Sequence, residues 1–208
     1  MRGGRQILIS MFLWRRIAAT AQSLGGIMRT KAALVAAVLL LAIGPALAGD
    51  LPDPQKTPGA ALTKVPDAKA AKCISQKMGT TISVGDTVSL TMICTSGYTQ
   101  CVRAVPTKTK NAVYKSYGMT GNHTGFCDTD QGCEVDHLIS LELGGSNDQK
   151  NLWPEPYEGE EFNAHVKDQL ENWLHTEVCA GRMPLKQAQK EISSNWIEAF
   201  KKHLSAHQ

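Results

Sequence analysis

Between residues 134 and 151 the chain gathers side chains that could do hydrolytic chemistry. They are the dipeptide Asp136-His137, the pair Gly144-Gly145, and Asn151 fourteen residues after the histidine. A neutral imidazole can take a proton from water near neutral pH. An adjacent carboxylate can hold a hard divalent cation, and a primary amide can fix the orientation of the imidazole. The arrangement carries a geometric demand, because successive strand residues face opposite sides. Asp136 and His137 meet at one atom only if the strand ends or twists there, or if an ion sits at its edge. Of the other polar neighbours, Glu142, Asp148 and Glu155 read as turn and exposed-face residues, and Asn147 as a residue that shapes the loop.

The elements that must position these residues follow from periodicity. Downstream, Phe162, Val166, Leu170, Trp173, Leu174 and Val178 form one helical stripe, with Gly181 as the stop. A second amphipathic helix is predicted after Pro184, with Leu185, Ala188, Ile192, Trp196, Ala199 and Phe200 inward, and both tryptophans read as packing. Upstream, Ile82, Val84, Val88, Leu90 and Met92 mostly alternate with small polar residues around Gly85-Asp86, which predicts two short strands and a turn within 81–93. Residues 49–72, rich in Pro, Ala and Lys, read as an extended linker. Residues 95–126 hold Arg103, Lys108, Lys110 and Lys115 with no Asp or Glu. Tyr98, Tyr114 and Tyr117 are interleaved with them, a composition that suits a phosphate-tracking surface and equally a solvated basic loop.

Charge and targeting narrow the context. The chain has 208 residues, 42% hydrophobic, which excludes a disordered polyelectrolyte or a collagen-like repeat. Of 22 basic residues, six (Arg2, Arg5, Arg15, Arg16, Arg29, Lys31) precede residue 49, and all 19 acids follow it. The part after residue 48 therefore carries 16 basic and 19 acidic groups, and the overall charge gives no argument for nucleic acid. Met28 to Ala48 reads as a signal peptide: Arg29 and Lys31, an apolar run from Ala32 to Ile43, and Ala46-Leu47-Ala48 as the cleavage site. Gly44-Pro45 interrupts the apolar run well short of the roughly 20 residues of a membrane span. Residues 1–27 read as an upstream extension, and the mature protein is expected to be secreted or periplasmic with no stable membrane association. All six cysteines fall after the cleavage site, as expected of three disulfides in an oxidising compartment. Fifteen pairings exist; short separations favour Cys94 with Cys101 and Cys127 with Cys133, leaving Cys73 for Cys179. No Cys-x-x-Cys pair is present, which argues against a cysteine zinc site.

The string VDHLISLELGGSNDQKNLWPEP resembles the signature of the HNH family of His-Me finger, or ββα-metal, nucleases. The likeness covers roughly residues 133–170, and the run from Asn163 to Asp168 and the helix after it is similar to a group of exported bacterial HNH-like proteins. It implies an α+β fold over residues 73–208: a ββα-metal core preceded by the small β element, followed by the two amphipathic helices, and stapled by disulfides. By resemblance, His137 matches the general base, Asp136 a metal ligand and Asn151 the central Asn that positions the base. The third signature residue normally lies about nine residues after the central Asn, where this chain has Glu160. After the intervening insertion, His165 is preferred narrowly over Asn163 as the second ligand. The implied function is metal-dependent hydrolysis of nucleic acid, DNA more than RNA, with little sequence specificity. One divalent ion is expected, Mg²⁺ first and Mn²⁺ or Zn²⁺ as alternatives, and Arg103, Lys108, Lys110, Lys115 and Lys167 are candidate phosphate contacts. The rival reading is a non-catalytic secreted or periplasmic binding protein on the same scaffold. No protein partner is inferable.

Overall fold

Local signals place most of the helices. The computed structural model describes residues 51–119, 132–157 and 161–205. The expected upstream extension, the signal peptide and Cys127 lie outside them. Helix α1 (Ala68–Met78) starts where the Asp67 carboxylate accepts the Ala70 N–H at 2.8 Å, and it ends at Gly79 in the left-handed region. Short helices α2 (Leu90–Ile93) and α3 (Tyr98–Val102) follow, then α4 (Thr107–Ser116) directly after Pro106. Strands β1 (Cys133–His137) and β2 (Leu152–Pro156) pair antiparallel, with Asp136 opposite Trp153 and Glu134 opposite Glu155. Helices α5 (Ala164–Cys179) and α6 (Leu185–His203) match the predicted stripes, with Gly181 beyond the first and Pro184 opening the second. Helix α6 is interrupted at Asn195, whose side chain accepts the Glu198 N–H and so caps the second segment.

The fold is mixed α+β: helices around a small two-stranded antiparallel sheet, bridged by disulfides. Two apolar clusters build it. The larger collects Leu138, Leu143 and Trp153 from the hairpin with Leu170, Leu174, Val178, Ile192 and Trp196 from α5 and α6. The smaller joins Ile74, Ile93, Tyr98 and Val102 from α1 to α3 with Leu141 of the hairpin loop. Among the described residues no helix is long and apolar enough to cross a membrane.

Three expectations differ from what forms. Residues 81–93 are not two strands. Val84 and Leu90 are 55% and 44% exposed while Ile82, Val88 and Met92 pack against the smaller cluster, so the alternation presents no continuous buried face, and Ser89 instead caps α2 through the Met92 N–H. Residues 57–65 of the expected linker belong to the fold, with Thr57 and Val65 each 1% exposed. The loop between β1 and β2 offers unpaired backbone groups, and this extended segment satisfies them: Gly59 donates to the Lys150 carbonyl, Leu62 to that of Gly144, and Ser146 to that of Ala60.

The disulfides join Cys73 to Cys101 and Cys94 to Cys179, with Cα separations of 5.4 and 5.6 Å, so the expected Cys94–Cys101 and Cys73–Cys179 pairs do not form. Tertiary packing overrides spacing here: α1 lies against α3 and brings Cys73 to Cys101, while Cys94 caps α2 and meets the last residue of α5. Cys133 is also disulfide-bonded. Cross-links of this kind fit an oxidising compartment. In chain-entropy terms the Cys94–Cys179 bridge, 85 residues apart, stabilises by about 4.5 kcal/mol. The Cys94→Ser/Cys179→Ser variant is expected to lose about 4 kcal/mol in urea unfolding, more than a Cys73→Ser/Cys101→Ser variant that opens a 28-residue span.

Candidate functional site

The loop between the strands is shaped by its glycines and by one amide. Gly144 sits at φ 71°. A Cβ on Gly145 would lie 1.7 Å from the Ile139 carbonyl oxygen, so no larger residue fits there. That close approach lets Asn151, 0% exposed, fill the centre of the loop. Its Oδ1 accepts from the Ile139 N–H (2.9 Å) and the Ala60 N–H (3.1 Å), and its Nδ2 donates to the Ile139 carbonyl (2.9 Å) and the Ser146 carbonyl (3.0 Å). All four hydrogen-bonding positions of the amide are thus used on backbone.

The imidazole is held by Asn147 instead. His137 Nε2 lies 3.1 Å from Asn147 Oδ1. The orientation of that amide is fixed independently, because its Nδ2 donates to the Val102 carbonyl at 2.7 Å and its Oδ1 accepts from the Ala104 N–H at 3.3 Å. With an oxygen facing it, Nε2 must carry the hydrogen, and in the neutral ring the lone pair is then on Nδ1. Burial lowers the His137 pKa below its usual value, and nearby Arg103 and Lys167 push the same way, against the pull of Asp136 and the Asn147 hydrogen bond. The ring, in a residue only 3% exposed, is therefore neutral at pH 7.

Asp136 leaves the strand on the opposite face. Its Oδ2 accepts from Lys167 Nζ at 2.5 Å. Lys167, expected among the phosphate contacts, is 1% exposed. Its ammonium also donates to the His137 carbonyl at 2.9 Å and to Glu171 Oε1, one helical turn on, and lies 3.6 Å from Glu155 Oε2. Glu155, expected on an exposed face, is fully buried, because its register opposite Glu134 turns it toward α5. Desolvation tends to raise the Asp136 carboxyl, but the Lys167 charge and hydrogen bonds from Glu155 and Lys167 bring it down to about 2. Burial pushes Glu155 well above the carboxylate range and Glu171 up to about 8, in both cases against Lys167 and helped by repulsion from Asp136. Protonated, the Glu155 carboxyl can donate to Asp136.

The remaining predicted residues fall into two groups. Arg103, Lys108, Lys110 and Lys115 are exposed, Arg103 just after α3 and the lysines on α4, where Lys108 and Lys115, seven apart, share a face. The tyrosines among them face inward: Tyr98 is 2% and Tyr114 8% exposed, Tyr114 donates to the Cys133 carbonyl, and the Tyr117 hydroxyl meets that of Thr57. Tyr98 and Tyr114 cannot serve as base-stacking platforms, and the half-buried Tyr117 ring has the Lys56 ammonium 4.9 Å from its centre. Asn163 is the N-cap of α5 and accepts the Val166 N–H at 3.3 Å, while His165 is exposed, its ring edge-on to Tyr157 with centroids 5.0 Å apart.

A divalent ion at Asp136 would meet a positive charge already in place. Asp136 retains 25% side-chain exposure, but its Oδ2 is held by an ammonium and the Asn163 side chain is committed to capping. Among the described residues, no three His, Cys or carboxylate ligand atoms that include Asp136 converge within 4.8 Å. The trio that does converge is Cys94, His175 and Cys179, whose two sulfurs are joined to each other. Glu134 and Asp168, which sequence reasoning passed over, interact electrostatically with Asp136 and His165, and burial together with Asp136 raises both carboxyls.

Comparison with known proteins finds no matching family model, no matching curated protein and no matching solved structure.

Two outcomes follow. Asn151→Ala leaves the buried Ile139 and Ser146 backbone groups without partners and is expected to cost about 3 kcal/mol in chemical denaturation. Glu171, ordinarily at 4.5, holds its proton in the folded chain up to about 8. Its contribution to stability is complete below about pH 4.5 and is lost as pH rises through 8. The melting temperature of the wild type should therefore fall more steeply from pH 5 to pH 8 than that of Glu171→Gln.

Proposed function

We propose that the chain is an exported HNH-type nuclease that hydrolyses phosphodiester bonds with little sequence preference, and that His137 is its general base. The observation that carries this reading is the tautomer of His137. Asn147 takes the Nε2 hydrogen and leaves the lone pair on Nδ1 of a ring kept neutral, as an acceptor of a proton from water must be. On taking the proton, the imidazolium is stabilised by the Asn147 oxygen and by the negative charge of Asp136. Arg103, exposed and near enough to act on His137, is the side chain positioned to offset charge growing on the phosphate, and Lys108 and Lys115 on one face of α4 would steer the backbone toward it. No element suited to reading base edges accompanies them, which supports low specificity.

A second reading, a binding protein that keeps the scaffold without the chemistry, is favoured by the 3% exposure of His137, which leaves its ring little contact with water. Purified protein incubated with plasmid DNA and with RNA, in Mg²⁺, in Mn²⁺ and in EDTA, separates the two. Cleavage that drops about 10²- to 10⁴-fold in a folded His137→Ala variant is the expected result. Retention of nucleic acid on a gel without cleavage in any of the three conditions would establish the binding protein.

A further inference from the structure

The bridges Cys73–Cys101 and Cys94–Cys179 differ in what surrounds their sulfurs. Cys101 is 6% exposed, and Cys73 packs against the same smaller apolar cluster. Cys179, the last residue of α5, is exposed, and its partner Cys94, at the end of α2, is half-buried. One helical turn before Cys179 stands His175, also half-buried, and a ring nitrogen of His175 and the two sulfurs all lie within 4.8 Å of one another. Among the described residues, no imidazole or carboxyl stands so close to both sulfurs of Cys73–Cys101. A disulfide opens when a thiolate attacks one sulfur and the other departs with the electron pair, so the rate depends on access to the first and on how the charge of the second is met. The exposure of Cys179 supplies the access. The imidazole beside both sulfurs can give a proton to the one that leaves.

We propose that Cys94–Cys179 is a thiol-exchange site, in which a low-molecular-weight thiol attacks the Cys179 sulfur and His175 assists the departure of Cys94. The external thiol, its own proton lost to solvent, bonds through sulfur to Cys179 Sγ as the bridge breaks. The electron pair of the broken bond goes to Cys94 Sγ, which takes a proton from the His175 ring. The product is a mixed disulfide on Cys179 and a free thiol on Cys94; the external sulfur is oxidised as that of Cys94 is reduced, so no further oxidant or reductant is needed. In the reverse direction His175 takes the proton from Cys94, whose thiolate attacks the mixed disulfide, expels the external thiol and closes the bridge. The same ring therefore serves closure as well as opening. The proposal is independent of nuclease activity, because exchange needs neither His137 nor nucleic acid.

The test exposes the full oxidised chain and its His175→Gln variant to reduced glutathione near neutral pH without denaturant. Samples are quenched in acid at intervals, alkylated and mapped by mass spectrometry. In the wild type, Cys94–Cys179 is expected to open before Cys73–Cys101, with glutathione on Cys179 and the alkylating label on Cys94. In His175→Gln the opening of that bridge should slow about tenfold, while Cys73–Cys101 keeps its wild-type rate. In urea the two proteins should open this bridge at the same rate, since the effect depends on the folded placement of the ring. The proposal is overturned if Cys73–Cys101 opens first, if glutathione is found on Cys94, if the folded variant opens as fast as the wild type, or if the difference between them persists in urea. The order of opening and the position of the adduct are read in the wild type alone. Circular dichroism checks the fold of His175→Gln, and His175→Asn takes its place if that fold is lost.

Discussion

The side chain of Asn151 is the constraint on which the rest of this region depends. One amide, shut away from solvent, completes the hydrogen bonding of backbone at Ala60, Ile139 and Ser146, the first of them 91 residues before it in the chain. A buried polar network is stable only when every member is satisfied, and here the geometry is closed at all four points. The position of the loop then determines what its flanks can do. Ser146 is fixed, Asn147 is carried to within reach of Val102 and of the imidazole, and the His137 carbonyl is left free to meet α5. The absence of a side chain at Gly145 is the steric condition for all of it.

From that fixed loop, β1 directs two adjacent residues to two environments. His137 goes to the side of α3, where it lies against an oriented neutral amide. Asp136 goes to the side of α5, where it meets a full positive charge. The two groups still sense one another electrostatically, as the opposing influences on the His137 pKa show. Their separation means that orientation of the imidazole and neutralisation of the carboxylate are handled by different parts of the chain. The first belongs to the α3 end and the loop, the second to the first turns of α5.

Much of this was legible in the order of residues, for stated reasons. The stripes of α5 and α6 are regular and apolar, so period and caps located them to within a few residues. The strand ending at His137, the Gly-Gly turn and Asn151 were marked by type and spacing. The role of Asn151 was not, because an amide positions an imidazole and satisfies a loop backbone with the same atoms. Lys167 and Glu171 formed a visible i, i+4 pair, the usual sign of an exposed helix face. Their burial comes from Asp136 and Glu155, which reach them only through the strand register. Tyr98, Tyr114 and Tyr117 were interleaved with cations along the chain, yet in space Arg103, Lys108, Lys110 and Lys115 are exposed while the rings of Tyr98 and Tyr114 are buried. The alternation of residues 82–92 read as strands because nothing in it reveals that Val84 and Leu90 have no core to face.

The bridge between Cys94 and Cys179 fixes an order of events as well as a distance. Cys179 is the last cysteine to leave the ribosome, so this link must wait for nearly all of the chain. In the interval the sulfur of Cys94 is seven residues from Cys101, a partner that loop entropy favours and the finished packing refuses. A native topology that joins the remote sulfur and rejects the near one therefore needs thiol exchange, or a catalyst of it, to reach its final connectivity from whatever pairs close first.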